Sequence, residues 1–203
     1  MRYLTLMIAA ILALTACSKE DEDLLPKQRE QMIKYLETTH APRLVAENVV
    51  EAGTEQPFYT ALGSTVYRYI DGYYNPDRAS RTEVTATSKV TITFSAYLFN
   101  FQNIQTDGSR ITMPFYSNDP ILKELFFSEE GGLTPGAWSF EPLVIDLAHG
   151  EVIKGLRLAL IGCRAQDRVE AYMTYNMAYG DDYLNIIEKE QPIAYFFTIQ
   201  KVE

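Results

Sequence analysis

Cysteine and histidine are almost missing from this chain: its 203 residues hold two of each, Cys17 and Cys163, His40 and His149. The histidines stand apart from each other and from any cysteine, so they offer no metal-ligand spacing; both are expected at the surface, and no metal or cofactor is expected. Basic charge is also short. Lys and Arg number 18 against 27 for Asp and Glu, a formal net charge of −9. Such a chain repels a nucleic-acid backbone or an anionic membrane surface, so nucleic acid is excluded as a partner. There is no internal repeat and no long low-complexity segment. The stretches "HGEVIKGL" (149–156) and "YMTYNMAYGDD" (172–182) hold no obvious nucleophile, metal cluster or phosphate loop.

What is present is apolar and aromatic. A hydrophobic content of 47% is enough for one domain with a real core plus some extra elements. Fourteen tyrosines are the unusual feature; they suit either a sheet face in the core or a binding surface.

The first residues read as a targeting segment. Arg2 supplies the positive end, 3–14 is an apolar run too short to stay as a membrane span, and Leu14-Thr15-Ala16-Cys17 follows. Small residues directly before a cysteine resemble the lipobox of bacterial lipoproteins, which implies a signal peptide over 1–16 and a lipid on Cys17 that anchors the chain to a membrane. The segment 17–24, with Ser18-Lys19-Glu20-Asp21-Glu22-Asp23, is an acidic tether that cannot pack. It resembles the export tag of Bacteroidetes-type surface lipoproteins; a flexible tether in the periplasm is the alternative. With Cys17 lipidated, Cys163 has no partner for an intrachain disulfide. Lying in an apolar run with Leu158, Leu160 and Ile161, it is expected to be a buried packing residue.

Periodicity gives the elements. Leu25, Met32, Ile33 and Leu36 recur at helical spacing, with Pro26 in the first turn and Ala41-Pro42 at the end. This predicts an N-terminal helix within an extension over 25–60, in which 44–56 reads as a short extended segment and a loop. In 61–203 the alternation predicts strands. Val66, Arg68 and Ile70 oppose Tyr67 and Tyr69, and Val90, Ile92, Phe94, Ala96 and Leu98 share one face. Further strands are expected over 168–174, with Val169, Ala171 and Met173 inward, and over 193–202, with Ile193, Tyr195, Phe197 and Ile199 together. Between them, 152–163 predicts a short helix whose Leu156, Leu160 and Cys163 press onto the sheet. The expected fold is α+β, a curved antiparallel sheet wrapped around one short helix, with the extra N-terminal helix. Tyr67, Tyr69, Tyr73 and Tyr74 are expected as a sheet face, or else as an aromatic platform for glycans or peptides.

Residues 151–180, "EVIKGLRLALIGCRAQDRVEAYMTYNMAYG", resemble the C-terminal half of FKBP-type peptidyl-prolyl cis/trans isomerases. That family carries a Val-Ile-x-Gly-Trp helix start and, one strand later, Ala-Tyr-Gly. Here Val152-Ile153-Lys154-Gly155 and Ala178-Tyr179-Gly180 stand at that separation. Ile186-Ile187 resembles the flap, "PIAYFFTIQKV" the closing strand and "VTITFSAYL" the family's early strand. The resemblance implies carbonyl donors at the Ile153 backbone N–H and the Tyr179 hydroxyl. It implies walls at Phe94, Leu143, Val152, Ile153, Ile186, Ile187 and Tyr195. The sequence also departs from the family. The Trp of the pocket floor is Leu156, the strand Tyr is Phe94, and an aromatic wall position is Leu143. The Phe-Asp-Ser segment is matched by Phe115-Tyr116-Ser117, with Asp119 as the alternative for its Asp, and Ile-Pro-Pro is Met173-Thr174-Tyr175. The reading is therefore a lipid-anchored outer-membrane protein, facing the periplasm or the cell surface. Its FKBP-like domain would bind proline-containing or extended polypeptide, with weak or absent isomerase activity. The alternative is a non-catalytic surface module for a protein partner or a glycan.

Overall fold

The computed structural model describes residues 24–99, 114–127, 139–182 and 187–203. The lipobox, the tether as far as residue 23 and Ile186 lie outside them. Helix α1 spans 24–38 and begins the described chain. Strands β1 (Val45–Ala46), β2 (Phe58–Leu62), β3 (Val66–Asp71) and β4 (Lys89–Leu98) follow. After β5 (Tyr116–Ser117) come the short α2 (Lys123–Phe127) and β6 (Leu143–Asp146). Helix α3 (Lys154–Leu160), β7 (Arg168–Met173) and β8 (Ile193–Val202) complete the fold.

The strands form one open, curved, mostly antiparallel sheet in the order β1-β2-β3-β7-β8-β4-β5, with β6 also on β4. The architecture is α+β, as the strand and helix pattern implies. Its centre is the β3, β7, β8, β4 run, in which Ala171 faces Tyr195 and Phe94 faces Phe197 across the ladders. Among the described strands only β1 and β2 pair in parallel. The division placed at residue 61 in the sequence falls inside β2, so part of the 25–60 extension is sheet. The outer edge of β4 is shared: β6 pairs with its first half and β5 with Ser95 and Ala96. Between them, the buried Asn118 side chain accepts from Phe94 N–H at 2.6 Å and donates to the carbonyls of Ile92 and Glu141, both at 3.1 Å. One amide side chain thus replaces the missing ladder bonds.

Both faces of the sheet are covered. On one, α3 lays Leu156, Ala159 and Leu160 onto Val66, Ile70, Ile92, Val169, Ala171 and Ile199. On the other, Met32, Tyr35 and Leu36 of α1, at helical spacing, cover Tyr59, Tyr67, Tyr69, Tyr172, Ala194 and Phe99. Tyr67 and Tyr69 are therefore core residues beneath a helix. His40 corrects an expectation: it is buried, not on the surface, with its ring edge-on to Tyr69 and its Nε2 3.1 Å from Glu170 Oε2. The helix end carries it into the tyrosine layer, a long-range effect that its isolation in sequence did not signal. His149 is exposed. Cys163 is fully buried and its thiol donates to the Ala159 carbonyl at 3.1 Å; burial pushes its pKa up to about 11. Among the described residues no helix is long and apolar enough to cross a membrane, and no group of His, Cys, Asp and Glu could hold a metal ion.

Candidate functional site

Gly155 explains how close α3 comes to the sheet. A Cβ there would lie 2.5 Å from Met173 Sδ and 2.8 Å from the Met177 carbonyl, so only glycine lets the helix start seat against β7 and the turn that follows it. Ile153 is the residue at which the helix begins, and its carbonyl accepts from Arg157 N–H at 3.1 Å. Its own N–H has no acceptor among the described residues, as the start of a helix dictates.

Opposite this helix start stands the turn that carries Tyr179. A 3-10 turn, Tyr175–Met177, leaves β7, and Gly180 closes it with φ +64 and an N–H bond to the Tyr175 carbonyl at 2.9 Å. The turn is pinned from the far face of the sheet. Buried Gln28 of α1 accepts from Tyr175 N–H at 3.0 Å and donates to the Glu190 carbonyl at 2.8 Å. Glu190 N–H in turn donates to the Gly180 carbonyl at 3.0 Å. The N-terminal helix is thus bonded to both ends of the segment that holds Tyr179.

The hydroxyls of Tyr179 and Tyr195 lie 2.9 Å apart, and either can be the donor. Tyr195 points inward from β8 and is buried, while Tyr179 is half-buried. Burial, followed by the neighbouring Tyr179 and then Tyr116, holds the Tyr195 hydroxyl well above the usual tyrosine range, so it stays protonated. Around this pair the rings form a chain. Phe94 lies 5.5 Å from Tyr195 and 5.4 Å from Tyr116, and Phe115 packs edge-on to Tyr179 at 6.3 Å.

The structure brings most of the residues singled out by the sequence into one place. Phe94, Leu156, Ile187 and Tyr195 are buried in the α3-side core, and Phe115, Val152, Ile153 and Tyr179 pack against its edge, half-buried. Leu156 is 3% exposed and Tyr195 4%, so both belong to the core beneath the half-buried Tyr179, Ile153 and Val152. Tyr116 and Leu143 are 38% and 41% exposed. Asp119 caps a 3-10 turn, accepting from Ile121 N–H at 3.0 Å. Sequence reasoning named Tyr195 as an apolar wall and missed its hydroxyl. The signal was there: a tyrosine among Ile193, Phe197 and Ile199 on an inward face needs a partner for its O–H.

No family model matches the chain, and no curated protein matches it. Among solved structures it is similar to the N-terminal domain of FKBP42 from Arabidopsis thaliana, at 11% identity and a TM-score of 0.47. The match covers 76% of this chain and 98% of that one.

Proposed function

We propose that the protein is a membrane-anchored lipoprotein whose FKBP-like domain binds proline-containing or extended polypeptide at the rim formed by Tyr179, Ile153, Val152 and Phe115. The observation that carries this reading is the Tyr179–Tyr195 hydroxyl pair. With buried Tyr195 as the donor, Tyr179 accepts its proton-bearing bond and keeps its own O–H for the outside. A peptide carbonyl at the rim then meets two donors, the Tyr179 hydroxyl and the Ile153 N–H, with aromatic and aliphatic surface beside them.

Turning an X-Pro amide means twisting a partial double bond against a barrier of about 18 to 20 kcal/mol, with no covalent bond broken. An apolar aromatic cup helps by favouring the twisted amide, whose charge separation is smaller, while donors hold its carbonyl. Here Leu156 stands where the family carries an aromatic floor, so the proline ring meets less aromatic surface. Binding is favoured over turnover, and catalysis is weak or absent. The acidic segment 17–24 after Cys17 supports export with the lipid as the anchor.

Two measurements test this. An isomerisation assay on a short X-Pro peptide should show slow or no turnover together with peptide binding, and Tyr179→Phe should weaken that binding several-fold, the size of one hydrogen bond, ~0.5 to 1.5 kcal/mol. Unchanged binding by a folded Tyr179→Phe protein sinks the rim reading. Cys17→Ala should leave the membrane fraction or fail to mature; an unchanged membrane-bound protein sinks the anchor.

A further inference from the structure

Away from Tyr179, a cavity of about 510 Å³ opens on the α3 face where β2 and β3 run out beyond the helix. Its floor comes from two strands in register: Thr60 pairs with Arg68, and both line the cavity beside Phe58. The wall is the turn after β3. Tyr73 stands edge-on to Phe58 at 4.8 Å and to Tyr74 at 5.3 Å, and Tyr74 is fixed by a bond from its hydroxyl to the Gln56 carbonyl at 3.2 Å. The size is that of a small-molecule pocket, with aromatic walls and the polar side chains of Glu55, Thr60, Arg68 and Asn75.

Arg68 gives the cavity its chemistry. Its Nη1 donates to the carbonyls of Ala159 and Ile161 at the end of α3, at 3.1 and 2.6 Å, which holds the guanidinium in place. Among the described residues its Nε and Nη2 make no hydrogen bond; Nε is buried, whereas Nη2 is not. An arginine grips a carboxylate through two parallel bonds along its Nε–Nη2 edge; at Arg68 the buried Nε leaves Nη2 as the donor within reach, for one charge-assisted bond. The same chain shows the fork in use: Arg78 holds Asp167 through Nε at 2.9 Å and Nη2 at 2.8 Å. Among the described residues no acid forms an ion pair with Arg68.

We propose that this cavity is a second ligand site, for a monocarboxylate with an apolar or aromatic body. The carboxylate pairs with Nη2 of Arg68, Thr60 offers its hydroxyl beside it, and the body lies among Phe58, Tyr73 and Tyr74. Exposed Glu55 also lines the cavity and disfavours a doubly charged phosphate. Two sources carry this chemistry, a free small acid and the C-terminus of a peptide. The site shares no side chain with the Tyr179 rim and stands or falls independently of it.

The test is a calorimetric titration of the full chain with phenylacetate, with an alanyl-phenylalanine dipeptide, with the amide of each, and with inorganic phosphate. Both acids should bind, and each amide should bind roughly tenfold more weakly because the charge-assisted pair is lost. The tighter acid identifies the source. A folded Arg68→Gln protein should lose about the same tenfold, and Tyr73→Ala, at a residue 39% exposed, should lose several-fold. The proposal is overturned if neither acid binds at about 10 mM, if amides or phosphate bind as well as the acids, or if Arg68→Gln binds unchanged. Should Arg68→Gln fail to fold, Tyr73→Ala decides: unchanged affinity for the acids overturns the site.

Discussion

The two faces of the sheet are buried by the same device, a helix laid across strands, but with opposite materials. The α3 face is mainly aliphatic, with Ile, Val, Leu and Ala from β3, β4, β7 and β8 alternating inward. The α1 face is a layer of rings: Tyr35 lies 5.6 Å from Tyr172 and 5.4 Å from Phe99, and Tyr172 lies 5.8 Å from Phe196. Each buried hydroxyl needs a partner. Tyr172 donates to Glu170 at 2.5 Å, Tyr59 to Glu37 at 2.9 Å and Tyr67 to the Ser64 carbonyl at 3.3 Å. An aliphatic face can be closed by shape alone, whereas a tyrosine face is closed by shape plus a ring of acceptors at its border. The two faces also divide labour. The α3 face opens at its edge into the Tyr179 rim, and the α1 face holds that rim from behind through Gln28.

The largest effect should come from removing a ring from the α1 layer. Tyr35→Ala, at a fully buried position, should cost about 3 to 5 kcal/mol in a denaturant titration. Leu160→Ala on the opposite face should cost about 2 to 5 kcal/mol. A near-neutral Tyr35→Ala would mean that α1 is an ornament rather than half of the core. Next comes Gly155→Ala, which forces a methyl against the Met177 carbonyl. It should destabilise by about 1 to 3 kcal/mol, and it should also shift the Tyr179 turn.

Gln28→Ala sharpens the link between the faces. It removes two hydrogen bonds at a cost of about 1 kcal/mol each, and weaker peptide binding should accompany the loss because the Tyr175–Gly180 turn is released. Binding unchanged in a stable Gln28→Ala protein would separate α1 from the site.

The smallest effect is alkaline. Burial raises the hydroxyls of Tyr59, Tyr67, Tyr69 and Tyr172 on the α1 face, Tyr69 to about 12. A group raised in the folded state contributes stability that is fully present below its ordinary value, near 10, and is lost as pH rises through the folded value. The denaturation midpoint should therefore hold from pH 7 to 9, then fall above about 10. Tyr69→Phe should flatten that fall, and a midpoint insensitive to pH in this range would contradict the buried-tyrosine layer.

The comparison also explains what could be read from the sequence. The alternations of β4, β7 and β8 and the Leu156, Leu160 pair of α3 each stay on one face for several residues, so local pattern sufficed; the helix expected over 152–163 is shorter, 154–160, and Cys163 is buried beyond its end. Strands β1, β5 and β6 are two to four residues long, too short to show a period, and exist because β2 or β4 offers an edge to pair with. The destination of the tyrosines was equally hidden. Tyr67 and Tyr69 alternate as an exposed face would, and only the docking of α1 turns them inward. Ile153, Tyr179 and Phe94 are singled out by the family resemblance, and the structure packs them in or against the same core. The Tyr195 hydroxyl and the Gln28 tie depend on contacts between segments far apart in the chain, which periodicity cannot show.

The most direct test of the account is a nuclear magnetic resonance titration of the nitrogen-labelled full chain with an unlabelled peptide carrying one X-Pro bond. The account predicts that the backbone amides of Ile153, Phe115 and the 175–180 turn shift together and saturably, that those of β2 and the 72–76 turn stay still, and that Tyr179→Phe weakens the response. A peptide that shifts none of the rim amides, or that shifts them equally in the folded Tyr179→Phe protein, would contradict it.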